Sequence, residues 1–282
     1  MKDKKIMRGF LALWLVLSFW GCAAYVKPSY IVPGPNPIAN YRFDYNPPKD
    51  LKKSTEPFTF LLLQANKEVK SPYSTTSVEV DIPRFSSRTT EDLNKIISEF
   101  STSITEDLKE LMTQKGFRLV QLVKSQDEAT YGQREMSNFA IYPKVSIEID
   151  DQLISSEKPK QDITQALVTN QYSPGLVKGV FGMKGRITME LKEPITWQLV
   201  WTKSVDIDRL EQEYSFKWNY NPQLKTGYTI GEDTRPQVLA SMLEKIYNDV
   251  FEKFNTYLDP AEFSMLNKQA QEIRKKATGI IK

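Results

Sequence analysis

The chain has 282 residues, 38 basic and 35 acidic side chains, no histidine and one cysteine, Cys22. Without histidine it lacks the usual general base, the commonest nitrogen metal ligand and the physiological pH switch. One cysteine cannot close an internal disulfide or build a thiolate metal site, so stability has to come from a packed core.

The first element is a targeting segment. Lys2, Lys4, Lys5 and Arg8 precede an apolar run from Phe10 to Trp20, and Gly21-Cys22-Ala23-Ala24 follows. A basic start and a short apolar stretch form a secretory signal. The run is too short for a bilayer span, which needs about 20 residues. A small residue directly before cysteine resembles a bacterial lipoprotein cleavage box, although Phe19 and Trp20 stand where leucine and a small residue are usual. Cys22 is therefore the predicted lipidation site and residues 1–21 the predicted signal peptide. Removing them leaves 34 basic and 34 acidic side chains. The excess positive charge belongs to the signal, and nucleic acid is not an expected partner.

Residues 22–57 contain Pro28, Pro33, Pro35, Pro37, Pro47, Pro48 and Pro57 with no helical period. Proline withholds backbone donors and favours extended chain, so this segment reads as a tether. The alternation of Tyr41, Phe43 and Tyr45 reads as an edge strand. Strands are predicted at Phe58–Leu63 and at Ser77–Ile82. A helix from about Thr90 to Lys115 carries one apolar stripe, from Leu93 to Met112, with Gly116 as its C-cap. Phe117–Val123 returns as a strand, so a helix lies on a sheet.

Farther on, Asp127–Met136 reads as a short helix and Phe139–Asp150 as a strand. Residues 151–174 read as a long loop. Strands are expected over Leu176–Phe181, Arg186–Lys192 and Ile195–Ile207, with a turn at Glu193-Pro194. Helices begin near Pro236 and Pro260, with Asp259 as an N-cap and Glu262 at capping-box spacing. Their faces carry Val238, Leu239, Met242, Leu243, Ile246, Val250, Phe251 and Phe254, then Phe263, Leu266, Ala270 and Ile273. The basic end, Arg274-Lys275-Lys276, compensates a helix terminus or meets acidic lipid. Residues 58–282 thus make one α+β domain, a mainly antiparallel sheet with long amphipathic helices packed on it.

One pattern concerns binding. Tyr214, Phe216, Trp218 and Tyr220 alternate, so on a strand all four rings share a face. Such a ladder either packs beneath a helix or stacks against sugar C–H faces; Trp197 and Trp201 are at the spacing to extend it. Gly179, Gly182 and Gly185 lack phosphate-loop spacing and read as a turn or bulge. Asp150, Asp151, Asp206 and Asp208 are either cation ligands or solvated turn residues. No cofactor, resident metal or catalytic pair is expected, and the chain reads as non-enzymatic.

Several segments together resemble the neuraminyllactose-binding hemagglutinin family, lipoproteins of Helicobacter-type bacteria. They are Phe43–Pro47 ahead of Thr59–Leu63, Leu108–Val120, Ile187–Pro194, Lys203–Asp208, and the helices from about Leu239 to Lys276. The resemblance covers most of the chain after Cys22. It implies an outer-membrane, surface or flagellar-sheath lipoprotein that attaches to host sialylated glycans. The alternative is a structural subunit that contacts another envelope protein. The loop corresponding to the family's basic run offers Lys158 and Lys160 as contacts, amid Ser155, Ser156, Glu157 and Asp162.

Overall fold

The computed structural model describes residues 41–71, 87–161, 172–220, 228–277 and 279. Cys22, the signal segment, the strand predicted at Ser77–Ile82 and the side chain of Tyr220 lie outside the described residues. Strand β1 (Thr59–Leu63) is followed by β2 (Asn66–Lys70), helix α1 (Ser87–Gln114) and β3 (Arg118–Val123). A single 3-10 turn and the short α2 (Tyr131–Met136) lead to β4 (Phe139–Ser156). A two-residue hairpin, β5 (Lys160–Gln161) with β6 (Tyr172–Ser173), precedes β7 (Gly175–Lys192) and β8 (Leu199–Tyr220). Then come β9 (Tyr228–Asp233), α3 (Arg235–Tyr257) and α4 (Pro260–Ala277).

The main sheet runs β3-β1-β4-β7-β8-β9, and β2 continues β1 along the same edge of β4. Pairing is parallel among β3, β1, β2 and β4 and antiparallel from β4 to β9. Because β1 and β3 are parallel neighbours, the chain between them must cross over, and α1 lies in that connection.

The predicted apolar stripe of α1 faces the sheet: Leu93, Ile96, Ile97, Phe100, Ile104, Leu108, Leu111 and Met112 are all buried. Each such burial is worth roughly 1.5–3 kcal/mol before the entropy of ordering is subtracted. Gly116, at φ 84°, ends the helix as expected, and the Phe117 N–H donates to the Met112 carbonyl at 3.1 Å. Two polar residues on the same helix fix the kink between β1 and β2. Thr105 Oγ1 accepts from the Ala65 N–H at 2.9 Å, and Ser101 Oγ donates to the Ala65 carbonyl at 3.0 Å.

Phe263 of α4 sits in a ring of phenylalanines, with centroids 5.1 Å from Phe117, 5.4 Å from Phe60, 5.5 Å from Phe139 and 6.1 Å from Phe58. That cluster pins the terminal helix over β1, β3 and β4. Asp259 accepts from the Ala261 N–H at 3.1 Å, as a cap should. Glu262 instead accepts from Lys203 of β8 at 2.5 Å, so tertiary contact takes the residue that spacing alone assigned to a capping box.

Four expectations are corrected. The end of the tether belongs to the domain: Phe43 and Tyr45 are buried, Phe43 edge-on to Phe100 at 5.2 Å and Tyr45 stacked on Phe251 at 4.8 Å. The Tyr41–Tyr45 alternation is real, but no strand forms, because the rings insert between α1 and α3 instead of pairing with a neighbour. The predicted loop at 151–174 begins too early, since β4 continues to Ser156 opposite β7. Finally, β7 is one strand through Gly182 and Gly185, not two. The irregularity lies in its partner, where an extra β8 residue sits between Ile207 and Leu210.

Candidate functional site

The aromatic strand is core. Tyr214, Phe216 and Trp218 retain 5%, 2% and 3% of their surface, which overturns their reading as exposed sugar contacts. Tyr214 and Phe216 stack with centroids 6.2 Å apart. On β7, Val177 stands opposite Phe216, and glycines stand opposite the other two. Gly175 pairs with Trp218 and Gly179 with Tyr214, so each ring lies across a backbone with no side chain. A Cβ at Gly175 would meet Trp218 Nε1 at 2.4 Å, and one at Gly179 would meet Tyr214 Cζ at 2.5 Å. The glycines are therefore seats for rings.

Arg235, the first residue of α3, closes this layer and is fully buried. Its guanidinium lies 4.5 Å from the Phe216 centroid and 5.5 Å from that of Tyr214. It donates to both oxygens of Asp233, through Nε at 2.9 Å and Nη2 at 2.7 Å, and faces Asp151 at 3.8 Å. Tyr214 donates to Asp151. Burial first, then that carboxylate, raises the Tyr214 phenol far above its ordinary range. A cation with this many partners is a structural hub.

The other predicted site residues are not brought together with a ligand-binding purpose. Lys158 and Lys160 are exposed near the small hairpin. Asp150 forms a bidentate pair with Arg209, at 2.5 and 2.9 Å, and Asp206 pairs with Arg186. Arg274 reaches inward to Glu193 at 2.7 Å and to the Ser137 carbonyl at 3.0 Å, so this part of the basic tail joins α4 to the domain. Trp197 and Trp201 do not share a face. Trp201 packs with the helical core, whereas Trp197 packs on the opposite side, because a register shift separates the turn from the strand.

That opposite side is where polar chemistry gathers. Alternation puts Val145, Ile147, Ile187 and Met189 under the helices and Lys144, Ser146, Arg186 and Thr188 on the other face. A shallow groove of about 580 Å3 runs there, lined by Glu68, Lys70, Lys144, Glu148, Lys184, Arg186 and Asp206. Its charges are paired: across strands Lys184 with Glu148 at 3.2 Å and Arg186 with Asp206 at 2.5 Å, and within β2 Lys70 with Glu68 at 3.8 Å. Pairs this exposed contribute little to stability.

Beside the groove, Tyr142 and Glu190 are cross-strand partners. Lys144 lies 5.3 Å and Lys192 5.4 Å from the Tyr142 ring centroid. Both ammoniums also hold Glu190, Lys144 through Oε1 and Lys192 through Oε2 at 3.2 Å. Burial pushes the Glu190 carboxyl up, but the two lysines outweigh it and leave the group below the usual carboxylate range. Sequence reading missed these four residues. Their outward phase was visible on each strand; the register that joins them was not.

Trp197 adds a feature of the backbone. It is the one non-glycine with positive φ among the described residues, at 59°. A bulky residue there costs on the order of 1–3 kcal/mol and persists only if its surroundings impose it. Here the imposing group is Glu193, which is fully buried. Its Oε2 accepts from the Thr196 N–H at 2.7 Å and from Thr196 Oγ1 at 2.8 Å, and its carbonyl accepts from the Trp197 N–H at 2.8 Å. Arg274 holds the other carboxylate oxygen. Half-buried Trp197 and Tyr142 rest on one small apolar patch formed by Leu61, Leu63, Val123, Ala129 and Ala140.

No protein-family model and no curated protein matches the sequence. Solved structures similar to the chain include a homologue of neuraminyllactose-binding hemagglutinin from Helicobacter pylori, at 12% identity and TM-score 0.48, covering 79% of this chain and 97% of that one. A Xanthomonas campestris protein of the DUF330 family has 7% identity and TM-score 0.27, over 82% of this chain and 95% of that one. A Neisseria meningitidis lipoprotein has 8% identity and TM-score 0.22, over 70% and 99%.

Proposed function

We propose that this chain is a lipid-anchored envelope protein that works by binding, without catalysis, and that the open face of its sheet meets surface glycans. The observation that carries the reading is the asymmetry of the sheet. One face is sealed by three helices, and the aromatic strand belongs to that sealed side. The other face presents the charged groove and the Tyr142 cluster to solvent. Paired charges of both signs suit the many hydroxyls of a sugar, which donate and accept. The cysteine after a basic, apolar segment supports the anchor, and the segment resemblance supports glycan as the ligand class. Since Phe43 and Tyr45 dock on the domain, residues 23–40 are the link between anchor and domain. Among the described residues no helix is long and apolar enough to cross a membrane.

The test is a glycan array probed with the detergent-solubilised full-length protein beside a Lys184→Glu/Arg186→Glu variant. Specific binding lost in the variant supports the reading. A folded protein that binds no glycan overturns it. A Cys22→Ala variant that still partitions into membrane overturns the anchor.

A structural role in an envelope assembly is the second reading. It is favoured by the burial of the aromatic strand together with exposed apolar side chains elsewhere, notably Leu122, Tyr131 and Met136. Recovery of one stoichiometric envelope protein after cross-linking, lost on Tyr131→Ser/Met136→Ser, is its expected signature.

A further inference from the structure

We propose that one end of the domain, built from Met136, Trp197, Leu199 and the basic run Arg274-Lys275-Lys276, rests on the surface of a bilayer containing acidic lipid. The inference rests on the anchor reading, and it adds a second, protein-borne contact with the membrane that lipid on Cys22 does not itself supply.

Three elements far apart in the sequence meet at this end. Arg274, near the close of α4, holds Glu193 of the β7–β8 turn at 2.7 Å and the Ser137 carbonyl just past α2 at 3.0 Å. One guanidinium thus ties the turn that carries Trp197 to the residue after Met136. Leu199 opens β8, two residues past Trp197. Met136 and Leu199 leave 63% and 52% of their surface exposed, and Trp197 is half exposed. Lys275 and Lys276 follow Arg274 along α4 and are exposed.

The chemistry selects lipid as the occupant. The buried Glu193 network holds Trp197 at positive φ, so the turn presents the ring at a fixed place. Strain that the fold maintains at an accessible aromatic points to a use for the ring. Tryptophan, aliphatic side chains and neighbouring lysines are the composition of the bilayer interface: the rings sit at headgroup level and ammoniums meet acidic headgroups. The core of a protein interface is instead depleted of lysine. The length of the link agrees. Residues 23–40 reach at most about 60 Å, farther than α1, the longest helix, which spans about 42 Å. The anchor therefore leaves the choice of bilayer-facing surface to surface chemistry. The groove at Lys184 and Arg186 lies farther along β7 and stays free.

The experiment reconstitutes the lipidated full-length protein into vesicles of brominated phosphatidylglycerol or brominated phosphatidylcholine. Flotation reads anchoring, and bromine quenching of tryptophan fluorescence reads contact. Quenching is expected on phosphatidylglycerol, with most of it lost on phosphatidylcholine and at high salt. Trp197→Phe should remove it, since Trp218 is buried and Trp201 packs with the helical core. Lys275→Glu/Lys276→Glu should abolish it while the protein still floats and circular dichroism shows a folded domain. Lys245→Glu/Lys253→Glu, the same charge change on the exposed side of α3, should leave it intact.

A protein that floats with both vesicles but shows no quenching, or quenching indifferent to Trp197→Phe and to Lys275→Glu/Lys276→Glu, overturns the inference and leaves the anchor standing. Equal quenching on the two lipids overturns the assignment to acidic lipid. A folded protein that does not float overturns both readings.

Discussion

Replacing Trp218 by alanine should remove about 4 kcal/mol of folding stability. The ring is 97% buried, seated over Gly175, and its Nε1 donates to the Glu157 carbonyl at 3.2 Å. A tryptophan buries roughly 150–250 Å2, and at about 25 cal/mol per Å2 the transfer loss is about 4–6 kcal/mol, an upper bound because unfolded chains already bury some surface. Large aromatics truncated in cores cost about 3–5 kcal/mol. Against a total stability of about 5–15 kcal/mol this is a large fraction, and it corresponds to a fall in Tm of about 8–16 °C for a domain of this size. Urea unfolding followed by far-ultraviolet circular dichroism measures it, provided the slope with denaturant is unchanged. A loss below about 1 kcal/mol, accompanied by loss of sugar binding, would refute the assignment of this strand to the core and return it to the surface.

Arg235→Met should destabilise by about 3–5 kcal/mol, because it strands Asp233 and Asp151 without a cation; adding Asp233→Asn should restore part of the loss, read by the same urea titration. Gly179→Ala should cost at least about 1–3 kcal/mol, since the new methyl would lie 2.5 Å from Tyr214 Cζ and 2.6 Å from the Gln152 carbonyl oxygen; thermal unfolding tests it. Glu193 gives a pH signature. Burial raises its carboxyl, but donors from Thr196 and Ile195 and the Arg274 guanidinium outweigh burial and hold it below the ordinary value. A depressed carboxyl contributes stability above its unfolded pKa and loses it as pH falls through the folded one. Glu193→Gln should therefore be less stable than the parent at neutral pH, by about 2 kcal/mol, with the gap closing as the parent is taken below pH ~4. Equal gaps at both pH values would refute the linkage.

The elements that were legible in the sequence are those whose signal is local. The stripe from Leu93 to Met112 predicts both the helix and its buried face, because a 3.6-residue period brings i, i+3 and i+4 together without help from elsewhere. Pro236, Asp259 and Gly116 mark helix ends for equally local reasons. The alternation of Tyr214, Phe216 and Trp218 predicts a shared face, and they share one. The period alone is silent on whether that face meets helices or water. The decision comes from α3, whose Arg235 and apolar stripe close over the rings, and from the two glycines of β7 that receive Tyr214 and Trp218.

The same limit explains the site. Tyr142 and Lys144 belong to one strand and Glu190 and Lys192 to another, and only the β4–β7 register makes them neighbours. Trp197 rests on the same apolar patch as Tyr142, its backbone bent by a buried carboxylate that is tied to a helix some 80 residues onward. The sequence by itself determined the α+β class, the helix faces and the lack of histidine chemistry, since each follows from composition or from contacts within a few residues. Tertiary structure alone decided which sheet face stays open and which charges meet there, because strand register is a contact between distant residues and leaves no periodic trace in either strand.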